Sequence, residues 1–229
     1  FSASNYLEQP YNSDLDFGTG DFCYMGWVKA TASAGNQVLF ERKALATAPF
    51  IDAYLSSSLT PIVRTANGTS TAVTSSASLS SGVWSFFSVV RKSGVLSMYI
   101  NGVVSGSNTS LEDMTIADSA LYFGVRQAGT ATLSAGSLAL WRISATAPSA
   151  AQIAKIYNDE KYLFQAGAQA TLYGASDSVI ALGYDDATEL LHVGTSQGRS
   201  VFQGLRRVDN TTTAVGTAIS ASNNLVAEE

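Results

Sequence analysis

Cysteine and histidine are nearly absent from this chain, which contains one of each, Cys23 and His192. A single cysteine excludes an intrachain disulfide, although small secreted domains often depend on disulfide frameworks. A single histidine excludes metal sites built from several histidines and any catalytic relay that needs two. We therefore expect Cys23 to be an inert thiol in an apolar strand and His192 to be a structural or surface residue.

Charged residues are also scarce: 13 Lys and Arg stand against 18 Asp and Glu, for a net charge of −5. The basic residues form no patch, and the densest pairs are Arg91-Lys92 and Arg206-Arg207. Because binding to a phosphate backbone requires such a patch, nucleic acid is not an expected partner.

Long apolar runs are missing too. No segment reaches the roughly 18–20 apolar residues of a membrane-spanning helix, so we expect no membrane insertion. The chain starts at Phe1 rather than Met, and Phe1–Tyr6 lacks the basic and apolar regions of a signal peptide. We therefore expect the sequence to be a processed or excised piece.

Short strand-like segments separated by turn residues make up most of the sequence. The clearest stretch is residues 82–103, where a Ser-Gly and an Asn-Gly pair punctuate three apolar runs. Within it, Leu96, Met98 and Ile100 alternate with polar residues, which is typical of a strand with one face in a core. Further runs lie at residues 21–28, 37–41, 50–55, 61–64, 121–125 and 137–143.

A single segment near residue 150 has helical periodicity. Pro148 suits the first turn of a helix, and Ile153, Ile156 and Tyr157 form one apolar stripe. Many short strands with one late helix predict an all-β fold, an antiparallel jelly-roll β-sandwich, over residues 1–164.

Residues 167–229 are predicted to form a second, small β-rich unit. Its runs at residues 178–186, 189–195 and 199–205 resemble one β-propeller blade. One blade does not close a propeller ring, and an isolated small sheet has marginal stability. We therefore predict that this unit serves packing or oligomerisation, with a homotrimer favoured. The polar tail from Thr211 is expected to add an edge strand or to run along a neighbouring subunit.

The order of several sequence blocks resembles the laminin G-like, concanavalin A-like lectin/glucanase jelly roll. The blocks are Asn5-Tyr6-Leu7, Leu15–Phe22, Gly26–Lys29, Trp84–Gly102, Leu138–Ile143 and Pro148–Tyr157. The resemblance implies a two-sheet fold that often binds glycans or proteins, sometimes through a Ca²⁺ ion at the rim of the sandwich.

The resemblance makes Asn5, Asp14 and Asp16 candidate ligands of such a rim calcium ion. Family members often carry an acidic residue at or near Ala139, where this chain has none. Calcium prefers six to eight oxygen ligands with several carboxylates. We therefore expect no cofactor and keep the rim calcium as the alternative; solvated loop carboxylates are the ordinary interpretation.

Glucanases that share this fold carry a Glu-x-Asp-x-Glu triplet, because acid and nucleophile must flank the sugar bond about 5–5.5 Å apart. The chain contains no such triplet. Its acidic pairs, Glu112-Asp113, Asp159-Glu160 and Asp185-Asp186, fall in predicted turns or at a helix end. The prediction is a protein that is not an enzyme, and a glycan-cleaving enzyme remains the alternative if another carboxylate pair faces a cleft.

Sugar binding uses aromatic rings that stack on sugar faces, together with amides and carboxylates that bind hydroxyl groups. Candidates placed near predicted loops are Tyr6, Tyr11, Asn12, Tyr54 and Asn67. The alternative for Tyr6 and Tyr54 is a strand position in the core or at its edge.

The functional prediction is a non-catalytic recognition module with a lectin-like domain that binds glycans or a host surface. The lone cysteine and the Ser-, Thr- and Ala-rich strands resemble phage virion proteins such as fibre, spike or decoration subunits. The expected location is the virion surface or the extracellular space, and the expected partners are copies of the chain and other virion proteins. The alternative is an architectural capsid or tail subunit that binds no ligand.

Overall fold

The computed structural model describes residues 1–43, 48–127, 129–164, 172–174 and 178–229. They form two compact units, Phe1–Asp159 and Glu160–Glu229. The predicted start of the second domain, at residue 167, lies outside the described residues.

The first unit is built from two antiparallel sheets. Its strands are β1 (Leu7–Gln9), β2 (Phe22–Ala30), β3 (Gln37–Arg42), β4 (Phe50–Leu55), β5 (Pro61–Asn67), β6 (Thr69–Thr74), β7 (Ser85–Lys92), β8 (Val95–Ile100), β9 (Val103–Thr109), β10 (Leu121–Phe123) and β11 (Gly136–Ser144). One sheet has six strands in the order β1-β10-β3-β4-β5-β6, and the other has five in the order β11-β2-β7-β8-β9. The predicted antiparallel β-sandwich is confirmed.

The core lies between the two sheets and is filled by alternate residues of each strand. In β4, Ile51, Ala53 and Leu55 belong to this core, whereas the intervening Asp52 and Tyr54 project from the other face of the sheet. Burying an aliphatic side chain of this size contributes about 1.5–3 kcal/mol. The period of two therefore orients Asp52 and Tyr54 away from the core.

The core face predicted for β8 is confirmed by Leu96 and Met98, which are both fully buried. Ile100 is partly buried and packs against the same cluster. The two sheets also meet through aromatic rings: Tyr24 of β2 stacks on Phe40 of β3 with ring centroids 4.5 Å apart. Such contacts set the spacing of the sandwich.

One α-helix, α1 (Ala150–Glu160), is present among the described residues, in the predicted segment. It begins two residues after Pro148, which therefore precedes the first turn and does not lie in it as predicted. Ser149 and Gln152 form a reciprocal capping box at its start. Ile153 is fully buried, and Tyr157 stacks against Trp27 with ring centroids 5.8 Å apart. Because Trp27 lies on the face of β2 that points away from the core, the helix covers the outer face of the five-stranded sheet. No helix among the described residues is long and apolar enough to cross a membrane.

The second unit contains a four-stranded antiparallel sheet and a separate hairpin. The sheet strands are β12 (Ala181–Asp185), β13 (Leu190–Thr195), β14 (Gly198–Gln203) and β15 (Arg206–Thr211), and the hairpin strands are β16 (Ile219–Ser222) and β17 (Leu225–Glu228). The sequence predicted the first three sheet strands. It did not predict β15, because this edge strand is polar and largely exposed and has no apolar alternation.

The hairpin docks on one face of the four-stranded sheet. Ile219 packs over Gly183 and Gly194, where any larger side chain would collide with it. The buried Asp185 carboxylate accepts the backbone N–H groups of Asn223 and Asn224 at 3.0 and 2.6 Å. The hydrogen bond from the Asn224 N–H is the main cause that lowers the pKa of Asp185, against the effect of burial. These contacts hold the hairpin on the four-stranded sheet of its own chain. The hairpin is part of the tail for which an edge strand or a path along a neighbouring subunit was expected.

Candidate functional site

Charged and aromatic side chains cross the outer face of the six-stranded sheet in one row. Directly opposite residues of neighbouring strands project from the same face, and the registers of five strand pairs give a continuous series. The row consists of Glu8, Tyr122, Glu41, Asp52, Arg64 and Ala72. Since Asp52 points away from the core, the whole row does.

Asp52 is the centre of this row. It is fully buried, and its carboxylate accepts hydrogen bonds from Arg64 Nε to Oδ1 at 3.0 Å and from Arg64 Nη2 to Oδ2 at 2.5 Å. Arg126, in the loop after β10, donates from Nη2 to the same Oδ2 at 3.2 Å. Arg126 Nε also lies 3.6 Å from Oε1 of the buried Glu41. Two acids thus hold two arginines in place.

Tyr54 lies against both guanidinium groups. The guanidinium carbon of Arg64 is 4.6 Å from the centroid of the Tyr54 ring, and that of Arg126 is 5.6 Å from it. Both distances are within the range of cation–π contacts. We call Glu41, Asp52, Tyr54, Arg64 and Arg126 the Tyr54 cluster.

The two signs of charge in the Tyr54 cluster differ in their access to solvent. The side chains of Arg64 and Arg126 are 21% and 14% exposed, whereas that of Asp52 is 0% exposed. Burial acts to lower the pKa of Arg64, but the hydrogen bonds and charge of Asp52 outweigh it, so this pKa is raised. The surface therefore presents permanently charged N–H donors beside an aromatic ring, with the carboxylates beneath them.

This arrangement suits binding better than glycoside hydrolysis. Hydrolysis needs one carboxyl group that protonates the glycosidic oxygen and a second that attacks or activates water. In the Tyr54 cluster both oxygens of Asp52 are held by guanidinium groups, and Glu41 is 1% exposed. The cluster presents a partly exposed aromatic ring and guanidinium donors to a ligand.

Tyr6 borders the same face of the sheet. It is 37% exposed and meets Tyr122 of the outer row edge to face, with ring centroids 5.7 Å apart. Of the sequence candidates, Tyr54 and Tyr6 are therefore associated with one surface, the outer face of the six-stranded sheet.

Tyr11, Asn12 and Asp16 belong to a different part of the first unit, next to a short 3₁₀ turn at Ser13–Leu15. The Tyr11 hydroxyl donates to Asp16 Oδ2 at 2.9 Å, and Asn12 Oδ1 accepts the N–H of Asp14 at 2.9 Å. These contacts order the turn.

Asp16 is the counterion of a buried arginine. Its Oδ1 accepts from Arg42 Nη2 at 2.6 Å and from the N–H of Ile116 at 3.0 Å. Burial acts to raise the pKa of Asp16, but the bonds from Arg42, Tyr11 and Ile116 outweigh it, so this pKa is lowered. The carboxylate is already bound by three donors.

The predicted calcium ligands are not gathered into an acidic cluster. Among the described residues, no group of three or more His, Cys, Asp or Glu side chains is placed to hold a metal ion. Asn5 and Asp14 are exposed, and the Asn5 backbone bonds to Ser2. A rim calcium at Asn5, Asp14 and Asp16 stays a prediction.

Asn67 lies at the end of β5, and its Nδ2 donates to the Asp113 carbonyl at 3.0 Å. It ties the β5–β6 turn to the loop before β10. The structure gives it this local contact and does not show it in the Tyr54 cluster.

A pocket of about 490 Å³ opens between the edge strands β1 and β11. Strand β11 is bulged between Ala139 and Arg142, and Leu140 has a φ of 50° there. Most of the lining is apolar; it includes Leu7, Phe123, Leu138, Leu140, Trp141 and Ile143, together with Gln9, Asn12 and Arg142. The pocket is the open side of the sandwich.

Sequence reasoning found Tyr54 but missed its partners. A usable signal existed for Asp52, since a charged residue two positions before Tyr54 in a strand must share its face. Arg64 carries a similar signal in β5. Arg126 carries none, because only the strand order brings the loop after β10 beside β4.

Two solved structures with a similar fold are described as binding domains of toxins. The chain aligns with the binding domain of Paraclostridial Mosquitocidal Protein 1 at a TM-score of 0.58 and 13% identity, over 83% of this chain and 52% of that one. It aligns with the botulinum neurotoxin serotype G binding domain at 0.56 and 9%, over 86% and 50%. The chain thus spans about half of each toxin binding domain, and identities this low show the fold alone.

A third similar structure is the CBM40 domain of the Ruminococcus gnavus IT-sialidase, solved bound to α2,3-sialyllactose. Its TM-score is 0.52 at 12% identity, over 69% of this chain and 100% of that one. Among curated proteins, none matches the chain in sequence.

The family model described as the concanavalin A-like lectin/glucanases superfamily, Laminin_G_3, matches residues 1–154. This match covers most of the chain and nearly all of the two-sheet unit, in agreement with the resemblance seen in the sequence blocks. The chain is therefore a member of the concanavalin A-like lectin/glucanase superfamily.

Proposed function

We propose that this chain is a non-catalytic carbohydrate-recognition module that binds glycans on the outer face of its six-stranded sheet. The observation that carries the proposal is the Tyr54 cluster: a partly exposed tyrosine ring with two guanidinium groups against it, each held by Asp52.

Pre-organisation supports this function. Sugars bind by stacking their apolar faces on aromatic rings while polar groups bind the hydroxyls. The guanidinium groups are already fixed by buried acids, so little side-chain entropy is lost when a ligand arrives. The similarity to a sialidase carbohydrate-binding domain solved with sialyllactose is in keeping with this proposal.

The test is a glycan array probed with the full chain and with Tyr54→Ala. We expect binding to a defined set of glycans and a loss of affinity of at least about tenfold in Tyr54→Ala. Tyr99→Ala is the matched control, because Tyr99 is a partly exposed tyrosine on β8 of the other sheet. The absence of binding to every glycan would refute the function, and undiminished binding by Tyr54→Ala would refute the site.

We further propose that the module works on a virion or cell surface as a homo-oligomer, with a trimer favoured, joined through the second unit. Exposed apolar side chains on its sheet support this: Leu182 is 61% and Tyr184 54% exposed. The same observation favours the second candidate function, an architectural subunit that binds no ligand.

Size-exclusion chromatography with light-scattering detection measures the mass of the full chain in solution, and hence the number of copies in the oligomer. A trimer that dissociates in Leu182→Asn but persists in Leu140→Asn, a matched exposed leucine of the first unit, is the expected result. A well-folded monomer would contradict the assembly role while leaving glycan binding untouched.

A further inference from the structure

We infer that the glycan bound at the Tyr54 cluster is an acidic saccharide, whose carboxylate or sulfate group is held by Arg64 and Arg126. This inference rests on the proposed function and adds the chemical class of the ligand.

Each guanidinium group keeps N–H donors that Asp52 does not use. Asp52 accepts from Nε and Nη2 of Arg64 and from Nη2 of Arg126. Within the described part of the chain, Nη1 of neither arginine has a hydrogen-bond partner. Guanidinium groups donate and never accept, so each arginine has unused donors for a ligand acceptor.

The two acids of the Tyr54 cluster lie beneath the surface. Asp52 and Glu41 are 0% and 1% exposed, so a ligand on the surface contacts neither of them. The formal charges of the Tyr54 cluster cancel, but only the positive groups are within reach. A ligand oxygen that carries negative charge adds the attraction of opposite charges to the hydrogen bonds it accepts there, which a neutral hydroxyl does not.

The two arginines are close enough together to bind one ligand group. Their Nη2 atoms both contact Asp52 Oδ2, at 2.5 and 3.2 Å, so the two guanidinium groups lie side by side. Arginine forks match the geometry of carboxylate and sulfate-like oxyanions. One such group on a sugar can therefore engage both arginines.

The Tyr54 ring favours a saccharide over a small free anion as the ligand. The ring of Tyr54 lies against both guanidinium groups and is partly exposed. An apolar sugar face can stack on this ring while its acidic substituent reaches the arginines. A small inorganic anion would leave the ring unused and bind more weakly.

The experiment compares acidic glycans with their neutral parents on the intact chain. Sialylated, uronic-acid-containing and sulfated glycans are each paired with the same glycan lacking the acidic group. We expect the acidic member of a pair to bind about ten- to a hundredfold more tightly. If the sialylated or uronic-acid-containing glycans bind more tightly than their neutral parents, the bound group is a carboxylate. If the sulfated glycans do, it is a sulfate.

Two further readouts test the arginines. Raising the salt concentration from about 0.05 to about 0.5 M weakens binding of the acidic member and leaves a neutral glycan nearly unaffected. Arg64→Gln abolishes the preference for the acidic member, and Arg142→Gln, an exposed arginine on β11, retains it. Arg64→Lys keeps a positive charge without the planar fork and serves as a second variant if Arg64→Gln fails to fold.

Each outcome decides between the two proposals. Equal binding of acidic and neutral partners, or binding of neutral glycans only, overturns the acidic ligand and leaves the carbohydrate-binding function standing. Binding of no glycan on the array overturns both. A preference for acidic glycans that is undiminished in a folded Arg64→Gln or Arg64→Lys protein also overturns the assignment to these arginines.

Discussion

At the residue scale, Asp52 organises the Tyr54 cluster. Its carboxylate accepts hydrogen bonds from both arginines, and it has no exposure through which to be solvated. A buried carboxylate is stable only when it is paired and hydrogen-bonded. Its role is to position Arg64 and Arg126, so its removal affects both the fold and the ligand.

The first prediction concerns this carboxylate. Asp52→Asn leaves Arg64 without its hydrogen-bonded counterion and Arg126 with Glu41 alone, and we expect the free energy of unfolding to fall by about 3 kcal/mol. Denaturant unfolding of the full chain measures the change. Asp14→Asn, an exposed aspartate, is the control and should change stability by less than about 0.5 kcal/mol. A variant as stable as the parent would show that the pairing contributes nothing to stability.

At the element scale, the junction of β2 and β11 depends on a missing side chain. An added Cβ on Gly26 would lie 2.6 Å from Cγ of Trp141, so the Trp141 ring occupies the space that this glycine leaves open. The indole N–H donates to the Trp27 carbonyl at 3.2 Å, which fixes the ring in that position. Glycine is required at position 26 because the Trp141 ring lies directly against the backbone there.

The second prediction follows from this packing. Gly26→Ala forces the Trp141 ring or the strand to shift, and we expect a loss of about 1–3 kcal/mol in the free energy of unfolding. Gly35→Ala is the control, since nothing lies within 4 Å of its added Cβ. Equal stability of the two variants in denaturant titrations would contradict the packing described.

The one histidine, His192, lies on β13, on the face of the four-stranded sheet that the hairpin covers. His192 is 5% exposed, and its Nδ1 has no hydrogen-bond partner in the described part of the chain. Burial lowers its pKa, as does the charge of Arg199, while Asp185, Glu228 and Asp209 act in the opposite direction. The folded unit therefore favours the neutral imidazole.

The third prediction is acid sensitivity of this unit. As pH falls below about 6.5, the unfolded chain binds a proton that folded His192 resists. The second unit should thus lose stability from that pH down to the lower pKa of the folded state. Amide exchange at residues 219–228 measures this loss, and His192→Leu should remove it. A protection profile that is identical at pH 7 and pH 5 in the parent chain would contradict the assignment.

Sequence patterns predicted elements better than they predicted their neighbours. The alternation of Leu96 and Met98 gave a correct core face because it is local and has a period of two. Strand β15 was missed because Arg206–Thr211 is a polar edge strand. The hairpin of β16 and β17 was not predicted, because its backbone binds Asp185, which lies far away along the chain. Local patterns do not encode such pairings.

At the scale of the whole molecule, the first unit has two unequal faces. Helix α1 covers the outer face of the five-stranded sheet, whereas no helix among the described residues covers the six-stranded sheet. Tyr54 was identified from sequence as a sugar-binding candidate, but its arginines come from β5 and from the loop after β10. Only the order β10-β3-β4-β5 brings them together, so the candidate site is a product of topology.

The most direct measurement of the central claim is an NMR titration of the isotope-labelled full chain with a glycan that it binds. The account predicts that the largest shift changes fall on Tyr54, Arg64 and Arg126. Changes confined to the pocket between β1 and β11, around Leu140 and Trp141, would show that the ligand binds elsewhere and would contradict it.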